Sequence, residues 1–565
     1  MGATHRTRSQ LLLQWYKRLQ QQLSRRRFLK ASATAGAGVA SLPLLSACGG
    51  SSSSSAPAPL PVPSGTIEFR HGVASGDPLD DRVIIWTRVT PGDEGPLPVS
   101  WEMDTDPAFS NPVASGSFTT DAERDYTVKI DVTGLSSYTT YYYRFNVADT
   151  ISPVGRTKTA PVAEESDRLR FAVVACSNLT FGYFNGFGAI AKRRDLDAVI
   201  HLGDYLYETA STSRVEGRDH FPAVEIVSLE EYRLRYGQYR SDPDLQEAHR
   251  QHPFIPIWDD HETTNNSYKD GADNHDESEG DWFERKGRAV RAYFEWMPIR
   301  DNADTSFDAP ENAITPDGLL PEGNGSIQRV LRYGNLMDLI MLDTRLAGRA
   351  VQNGTETITP EQTILGEEQR QWLLQELGNS QAQWKVIGQQ MTFAPIKVTP
   401  LPEGQGGTYL NSDAWDGYRF DRNAVMDKII NDGIQNTVFL SGDTHVVTAF
   451  DLPKDPHSGD YNPATGEGSH GVEFSSNGIA NVGIIGEFFM ANNPHLKYSN
   501  LSLQGYLLID VDQQRFQGEY YYTGAPDVRD ASETFGMALA TTDGRNALQT
   551  SPSPSTERSD AAELA

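Results

Sequence analysis

From residue 168 onward, the chain alternates short apolar segments with longer amphipathic ones, and most of the apolar segments end in polar residues. The apolar runs predict strands at residues 169–175, 198–202, 254–258, 336–342, 384–388 and 437–440. The segments between them predict helices at residues 229–239, 281–296, 366–377 and 424–430. This alternation is typical of a layered α/β domain whose helices cover the sheet. We place that domain at residues 161–545.

Residues 66–160 follow a different pattern, with short strands separated by turns. The clearest candidates are residues 83–87, 126–132 and 141–147, which are rich in β-branched and aromatic side chains. Leu135, Thr139 and Tyr141 have the spacing found around the tyrosine corner of fibronectin-like sandwiches. The sequence therefore predicts a small all-β fibronectin-like domain in front of the α/β domain.

The first 47 residues are basic, contain no acidic residue, and end in a weakly apolar run that is too short to span a membrane. Ser24 to Lys30 resembles a twin-arginine export signal, which implies the twin-arginine translocase as a partner during export. Leu45 to Cys48 resembles a lipobox, so Cys48 is the predicted lipidation site. Residues 48–65 would then form a Gly/Ser/Pro linker. We expect an exported protein in the periplasm or on the cell surface, with a lipid anchor as its only membrane contact.

Composition excludes several classes of protein. A net charge of −27 argues against specific nucleic-acid binding, because such binding requires a basic surface. The two cysteines, Cys48 and Cys176, are too few and too far apart for a disulfide framework. Residues 546–565 are rich in Ser, Pro and acidic residues, which predicts a disordered tail.

Four of the predicted strands are followed by side chains that can bind a metal. The candidates are Cys176, Asp204, Tyr207, Asp259 or Asp260, Asn266, Asp443 and His445. Because chemistry in α/β folds collects at the carboxyl ends of strands, we expect these side chains to meet. A thiolate, a phenolate, a carboxylate and an imidazole together favour ferric iron over zinc, and a phenol ionises near neutral pH only beside a strong Lewis acid. The oxygen ligands suit Ca²⁺, and Asp204 could bridge the two ions.

These motifs together resemble the PhoD-type alkaline phosphatases. The resemblance spans about residues 66–524 and rests on Cys176, residues 203–208, residues 258–262 with Asn265 and Asn266, and residues 441–445; residues 69–78 are similar to the start of the family's N-terminal domain. It implies a metallophosphatase-like α/β sandwich with an iron–calcium centre. Carried over residue by residue, Fe³⁺ would be held by Cys176, Asp204, Tyr207 and His445. Ca²⁺ would be held by Asp204, Asp260, Asn266 and Asp443, with Asp260 preferred over Asp259.

The resemblance also implies an activity, the hydrolysis of small-molecule phosphate esters by metal-activated hydroxide. The sequence has no Gly-x-Ser-x-Gly elbow and no P-loop that would supply another route. Asp204, as the bridging carboxylate, and His261 are the catalytic candidates. His261 would bind phosphate or protonate the leaving alcohol, although it could instead only orient a ligand carboxylate. Arg240 and Arg345 could bind the phosphate or could form structural salt bridges.

Two other functions remain open at this stage. The same centre could hydrolyse phosphodiesters, including phospholipase D-like substrates, because the sequence does not show the shape of the loops around the site. The chain could also be a non-catalytic, calcium-stabilised surface lipoprotein that binds a partner. A cysteine and a phenol are poor ligands for a purely structural calcium site, which disfavours that last alternative.

The acidic residues 270–281 favour a solvated loop that caps a helix, with an additional calcium site as the alternative.

Overall fold

The computed structural model describes residues 66–163, 165–301, 326–398, 408–409, 411–481 and 492–565. The export signal, Cys48 and the rest of the linker all lie outside these residues. Within the described part of the chain, none of the helices has the length and apolar character needed to span a bilayer.

The described chain contains six α-helices, of which four match the predicted ones. The helices are α1 Asn185–Ile190, α2 Leu229–Tyr239, α3 Pro243–Gln251, α4 Trp282–Trp296, α5 Gly366–Asn379 and α6 Arg419–Asn431. Helix α2 has the predicted bounds and is closed by a capping box between Ser228 and Glu231. Helix α4 begins one residue later than predicted because the Asp281 side chain caps it, which agrees with the capping interpretation of the acidic stretch.

Strands make up most of the remaining regular structure. They are β1 Val73–Gly76, β2 Arg82–Arg88, β3 Leu97–Asp104, β4 Ala114–Thr120, β5 Thr127–Thr133, β6 Thr140–Val147, β7 Thr150–Ile151, β8 Gly155–Lys158, β9 Arg168–Ser177, β10 Ala198–His201, β11 Pro253–Pro256, β12 Ser267–Tyr268, β13 Gly271–Ala272 and β14 Arg329–Tyr333. The later strands are β15 Met337–Met341, β16 Trp384–Gly388, β17 Lys397–Val398, β18 Thr408–Tyr409, β19 Thr437–Ser441, β20 Val447–Pro453, β21 Ser469–Ser475, β22 Gly478–Ala480, β23 Leu496–Asn500, β24 Gly505–Asp512, β25 Arg515–Thr523, β26 Glu533–Thr542 and β27 Gln549–Ser551. The six strands predicted in the α/β domain correspond to β9, β10, β11, β15, β16 and β19.

Two large sheets face each other and form the centre of the molecule. The first has the order β27-β26-β25-β24-β9-β10-β11-β1-β2-β5, with β22 added beside β9, and the second has the order β14-β15-β16-β19-β21-β20-β23. Aromatic contacts join the sheets: the ring of Phe171 lies 5.0 Å from that of Tyr333, and Trp384 lies 5.6 Å from Phe516. Helices α5 and α6 share a hydrophobic cluster with the second sheet. The result is a layered α/β sandwich with two central sheets.

The first 95 described residues form the predicted all-β domain. Its own sheet has the order β4-β3-β6-β7, with β8 beside β6, and Tyr141 accepts a hydrogen bond from the Ser136 amide over 2.8 Å in the manner of a tyrosine corner. Strands β1, β2 and β5, however, belong to the first large sheet, where Ser75 on β1 pairs with Pro253 on β11. The sequence pattern did not show this continuity, because strand pairing across distant segments leaves no local signal.

The prediction of a disordered tail at residues 546–565 is wrong. Strand β27 pairs with β26, and the Arg558 guanidinium donates to Asp197 over 3.2 Å. Lys158 shares the same carboxylate at 2.5 Å. Charged residues that composition alone assigns to solvent are here paired with a buried partner from another part of the chain.

Candidate metal centre

The carboxyl ends of four strands bring the predicted ligands to one edge of the sandwich. Cys176 lies at the end of β9, Asp204 follows β10, Asp260 follows β11 and Asp443 follows β19. Strand β10 lies between β9 and β11, and both pairings are parallel. The second sheet contributes through β19, so both sheets build the centre.

One group of ligand atoms combines sulfur, oxygen and nitrogen. The Cys176 thiol, the Asp204 carboxylate and an imidazole nitrogen of His445 lie within 4.8 Å of one another. The Tyr207 hydroxyl joins them, at 2.8 Å from Asp204 Oδ2 and 3.2 Å from His445 Nε2. The structure thus brings together all four residues that the sequence predicted for iron.

A second group shares Asp204 with the first. Ligand atoms of Asp204, Asp260 and His261 lie within 4.8 Å of one another. Asn266 and Asp443 lie next to this group. The backbone N–H of Asn266 donates to Asp260 Oδ2 over 2.6 Å, and the side chain of Asn266 donates to Asp273. Asp443 lies 3.8 Å from the Arg345 guanidinium. Asp204 is therefore the carboxylate common to both groups.

The charge and bonding of these residues fit bound cations. Within the described part of the chain, the buried Asp204 Oδ1 has no hydrogen-bond partner. Burial, assisted by Asp260 among other carboxylates, raises the pKa of Asp204 well above its ordinary value, and burial likewise raises the pKa of Asp443 to about 7. Carboxylates crowded in a buried cluster are stabilised by a metal ion, which also supplies the missing partner of an orphaned oxygen.

Several candidate ligands have an unusual backbone conformation. The residues with positive φ at this edge are Cys176, Asp204, Asn266, Asp443 and His445. Left-handed backbone is unfavourable for non-glycine residues and is found where a site requires it. Gly203 has a φ of 104°, and a Cβ there would lie 2.5 Å from that of Asp259, so only glycine fits before Asp204.

Asp259 and Asp260 have different roles. Asp259 Oδ1 accepts from the buried Arg345 guanidinium over 2.5 Å, and Arg345 also bonds Asp413 at 3.0 Å. Asp260 instead belongs to the second ligand group. This geometry supports Asp260 as the ligand and assigns Asp259 to an internal ion pair.

The two arginines considered for phosphate binding both have partners within the protein. Arg345 is fully buried and its guanidinium is engaged by Asp259 and Asp413. Arg240 lies away from the ligand groups, with its guanidinium 4.4 Å from the Trp86 ring and bonded to the His71 carbonyl oxygen. These contacts favour the structural alternative for Arg240, and its position outside any motif gave no indication of its surroundings.

Sequence reasoning missed three residues of the centre. Glu208 accepts from His261 Nδ1 over 2.6 Å and from the Asn265 amide over 3.0 Å. Glu262 accepts from the amides of Asp204, Tyr205 and Asp259, which joins the loops after β10 and β11. The two glutamates lie inside the quoted motifs, whereas Asn481, which bonds Tyr207, follows no motif.

His261 is surrounded by carboxylates that favour its protonated form. Its ring lies 4.1 Å from that of Tyr207. Burial alone would lower the pKa of His261, but Glu208, Asp204 and Asp260 outweigh it and raise this pKa well above its ordinary value. With Nδ1 bonded to Glu208, the proton that remains available is on Nε2.

Two facing sheets with metal-type ligands at the strand ends define a metallophosphatase-like protein. Residues 171–520 match the family described as PhoD-like phosphatase, and residues 54–161 match the N-terminal domain of that family. The chain belongs to the PhoD-like phosphatase family.

Individual relatives agree with this assignment. Alkaline phosphatase D of Bacillus subtilis (strain 168) is 34% identical over 479 residues, which cover 80% of this chain and 77% of the relative. A solved structure of PhoD superposes with a TM-score of 0.76 at 30% identity, covering 89% of this chain and 95% of the other. Purple acid phosphatase PPD1 from yellow lupin, at 12% identity and a TM-score of 0.53 over 85% and 75% of the two chains, shares the fold.

Proposed function

We propose that this chain is an exported alkaline phosphatase that hydrolyses small-molecule phosphate esters with Fe³⁺ and Ca²⁺. Membership of the PhoD-like phosphatase family makes it a phosphoric ester hydrolase. The observation that carries the proposal is the convergence of Cys176, Asp204, Tyr207 and His445 from distant parts of the chain. Thiolate, phenolate and imidazole ligands support iron at the first group.

The second ligand group supports Ca²⁺, the harder of the two ions. Asp204 and Asp260 would hold Ca²⁺, with Asn266 and Asp443 as the neighbouring oxygen ligands. When bound, such ions polarise the ester oxygens and lower the pKa of water, which supplies the nucleophile. No arginine is needed at the phosphate in this scheme, in agreement with the positions of Arg240 and Arg345.

The chain itself contributes the proton for the leaving group. Glu208 orients the His261 ring through Nδ1 and, as the strongest of the groups that raise its pKa, favours the protonated ring. The Nε2 proton can therefore pass to the alkoxide as its bond to phosphorus breaks. Arg345 lies within 4 Å of Asp259, Asp413, Asp260 and Asp443, so it offsets part of the negative charge at the centre.

The export route completes the proposal. The basic segment from Ser24 to Lys30 would direct the folded protein to the twin-arginine translocase, and Cys48 would carry the lipid anchor. Replacing Arg25, Arg26 and Arg27 with lysine should leave the enzyme in the cytoplasm. Cys48→Ser should release it from the membrane fraction without loss of activity.

Elemental analysis of the exported protein tests the metal assignment most directly. We expect iron, calcium and a visible charge-transfer band that Tyr207→Phe removes, with Tyr268→Phe, at a partly exposed position, as the control. Dialysis against EGTA should abolish turnover and leave the band. An active, iron-free and colourless enzyme would contradict the iron assignment, and full activity after EGTA would contradict the calcium assignment. Rates with a nitrophenyl monoester and a bis-nitrophenyl diester decide between phosphatase and phosphodiesterase activity.

A further inference from the structure

Asn481 contacts the metal centre from a segment that no motif identifies. Strand β22 pairs with β9 next to Cys176, with Gly478 opposite Ala175 and Ala480 opposite Ser177. Asn481 follows directly, is 7% exposed, and has its backbone carbonyl bonded by the Gln504 side chain. The Asn481 side chain is thus placed beside the ligands by a strand whose register is fixed by its pairing with β9.

The amide group of Asn481 lies between two proposed iron ligands. Its Nδ2 is 2.7 Å from the Tyr207 hydroxyl oxygen and 2.9 Å from His445 Nε2, and those two atoms are 3.2 Å apart. Tyr207 donates its own proton to Asp204, so the contact with Asn481 is one in which the amide donates and the phenol oxygen accepts.

We propose that Asn481 is a positioning residue that donates a hydrogen bond to the Tyr207 phenolate and thereby tunes the electronic state of the iron that Tyr207 binds. This inference rests on the iron assignment above. Hydrogen bonding to the charged form of a ligand stabilises that form. It also withdraws electron density from the ligand atom, which is how outer hydrogen bonds adjust a metal's electronic state. Asn481 would therefore make Tyr207 a weaker electron donor while holding its oxygen at a fixed distance from His445.

The visible spectrum of the iron-loaded holoenzyme measures this effect. Removing the hydrogen bond raises the energy of the phenolate electrons, so Asn481→Ala should move the charge-transfer band to longer wavelength and lower the iron reduction potential. Iron affinity should fall about 10–100-fold, the usual result of losing an outer-shell partner. Asn481→Asp keeps the shape but replaces the donor with a carboxylate, so it should give a larger shift in the same direction.

Asn477→Ala is the matched control, because Asn477 is buried in the same segment and its amide bonds the Leu503 carbonyl oxygen instead of a ligand. We expect its band to stay at the wild-type wavelength. An unchanged band in both iron-loaded Asn481 variants, or an equal shift in the Asn477 control, would overturn the inference while leaving the iron assignment intact. A wild-type band that survives Tyr207→Phe, or its absence from the wild type, would overturn both.

Discussion

His261 is the residue whose chemistry depends most on its neighbours. Its Nδ1 is bonded to Glu208 and its ring lies against Tyr207, so the imidazole has one orientation and one available proton. A proton donor matters only when the leaving group is a strong base. The choice of substrate can therefore separate proton donation from metal binding.

His261→Gln should slow an alkyl phosphate by about 10²–10⁴-fold and a nitrophenyl phosphate far less, because nitrophenolate leaves without a proton. Steady-state kcat values for the two esters test this. Glu208→Gln should show the same pattern more weakly, and His457→Gln, at an exposed position, should change neither rate. Equal losses on both esters would show that His261 serves the metals instead of the leaving group.

The neighbouring aspartates give a second test. Asp204→Asn should reduce kcat/KM and the bound metal more than Asp259→Asn, because Asp204 is shared by both ligand groups. Asp259→Asn should instead lower the free energy of unfolding by about 3–5 kcal/mol, since it leaves the buried Arg345 with one fewer carboxylate. Metal content and urea unfolding of both variants distinguish the roles, and similar metal loss in both would be inconsistent with this assignment.

Among the structural elements, those that the sequence predicted best have strong local signals. Helix α2 has the predicted bounds because Ser228 and Glu231 form a complete capping box. Ligands at strand ends were predictable because parallel strands finish at one edge. The surroundings of Arg240 and Asn481 were not predictable, because their partners come from distant segments of the chain. The tail was mispredicted because composition does not show which charged residues will find buried partners.

The contribution of residues 546–565 to the free energy of unfolding can be tested with two ion pairs that differ in exposure. Arg558 bonds Asp197 with its side chain 10% exposed, whereas Arg194 and Glu563 pair at 43% and 83% exposure. Arg558→Ala should lower the free energy of unfolding by about 3 kcal/mol and Arg194→Ala by less than about 1 kcal/mol. Urea unfolding at neutral pH measures both, and a loss for Arg558→Ala as small as that expected for Arg194→Ala would mean that the tail contributes little to stability.

In the molecule as a whole, the all-β domain and the α/β sandwich share a sheet. Strand β1 pairs with β11, and Lys129 of the first domain pairs with Asp301 of the second at 2.7 Å. Shared strands couple the unfolding of two regions more strongly than a surface contact would. Calorimetry of the metal-free protein should therefore give one unfolding transition, and two well-separated transitions would contradict the coupling.

Buried histidines make the fold sensitive to acid. Burial lowers the pKa of His252 to about 3, whereas an unfolded histidine titrates near 6.5. Between these values the unfolded chain binds a proton that the folded chain does not, so stability falls as the pH falls, by about 1.4 kcal/mol per pH unit for each such group. His252→Gln should reduce this slope in urea unfolding between pH 6 and 4, relative to His457→Gln. An unchanged slope would mean that His252 is already protonated in the folded state.

Asp204 offers its single carboxylate to two neighbouring sets of ligands. Ions held by the two groups would share this one side chain and its charge. Filling one position then alters the free energy of filling the other, and thermodynamic reciprocity makes that influence identical in both directions. In the proposed two-ion centre, the calcium available to the enzyme would therefore change how firmly it holds iron, and the iron would change how firmly it holds calcium by the same factor.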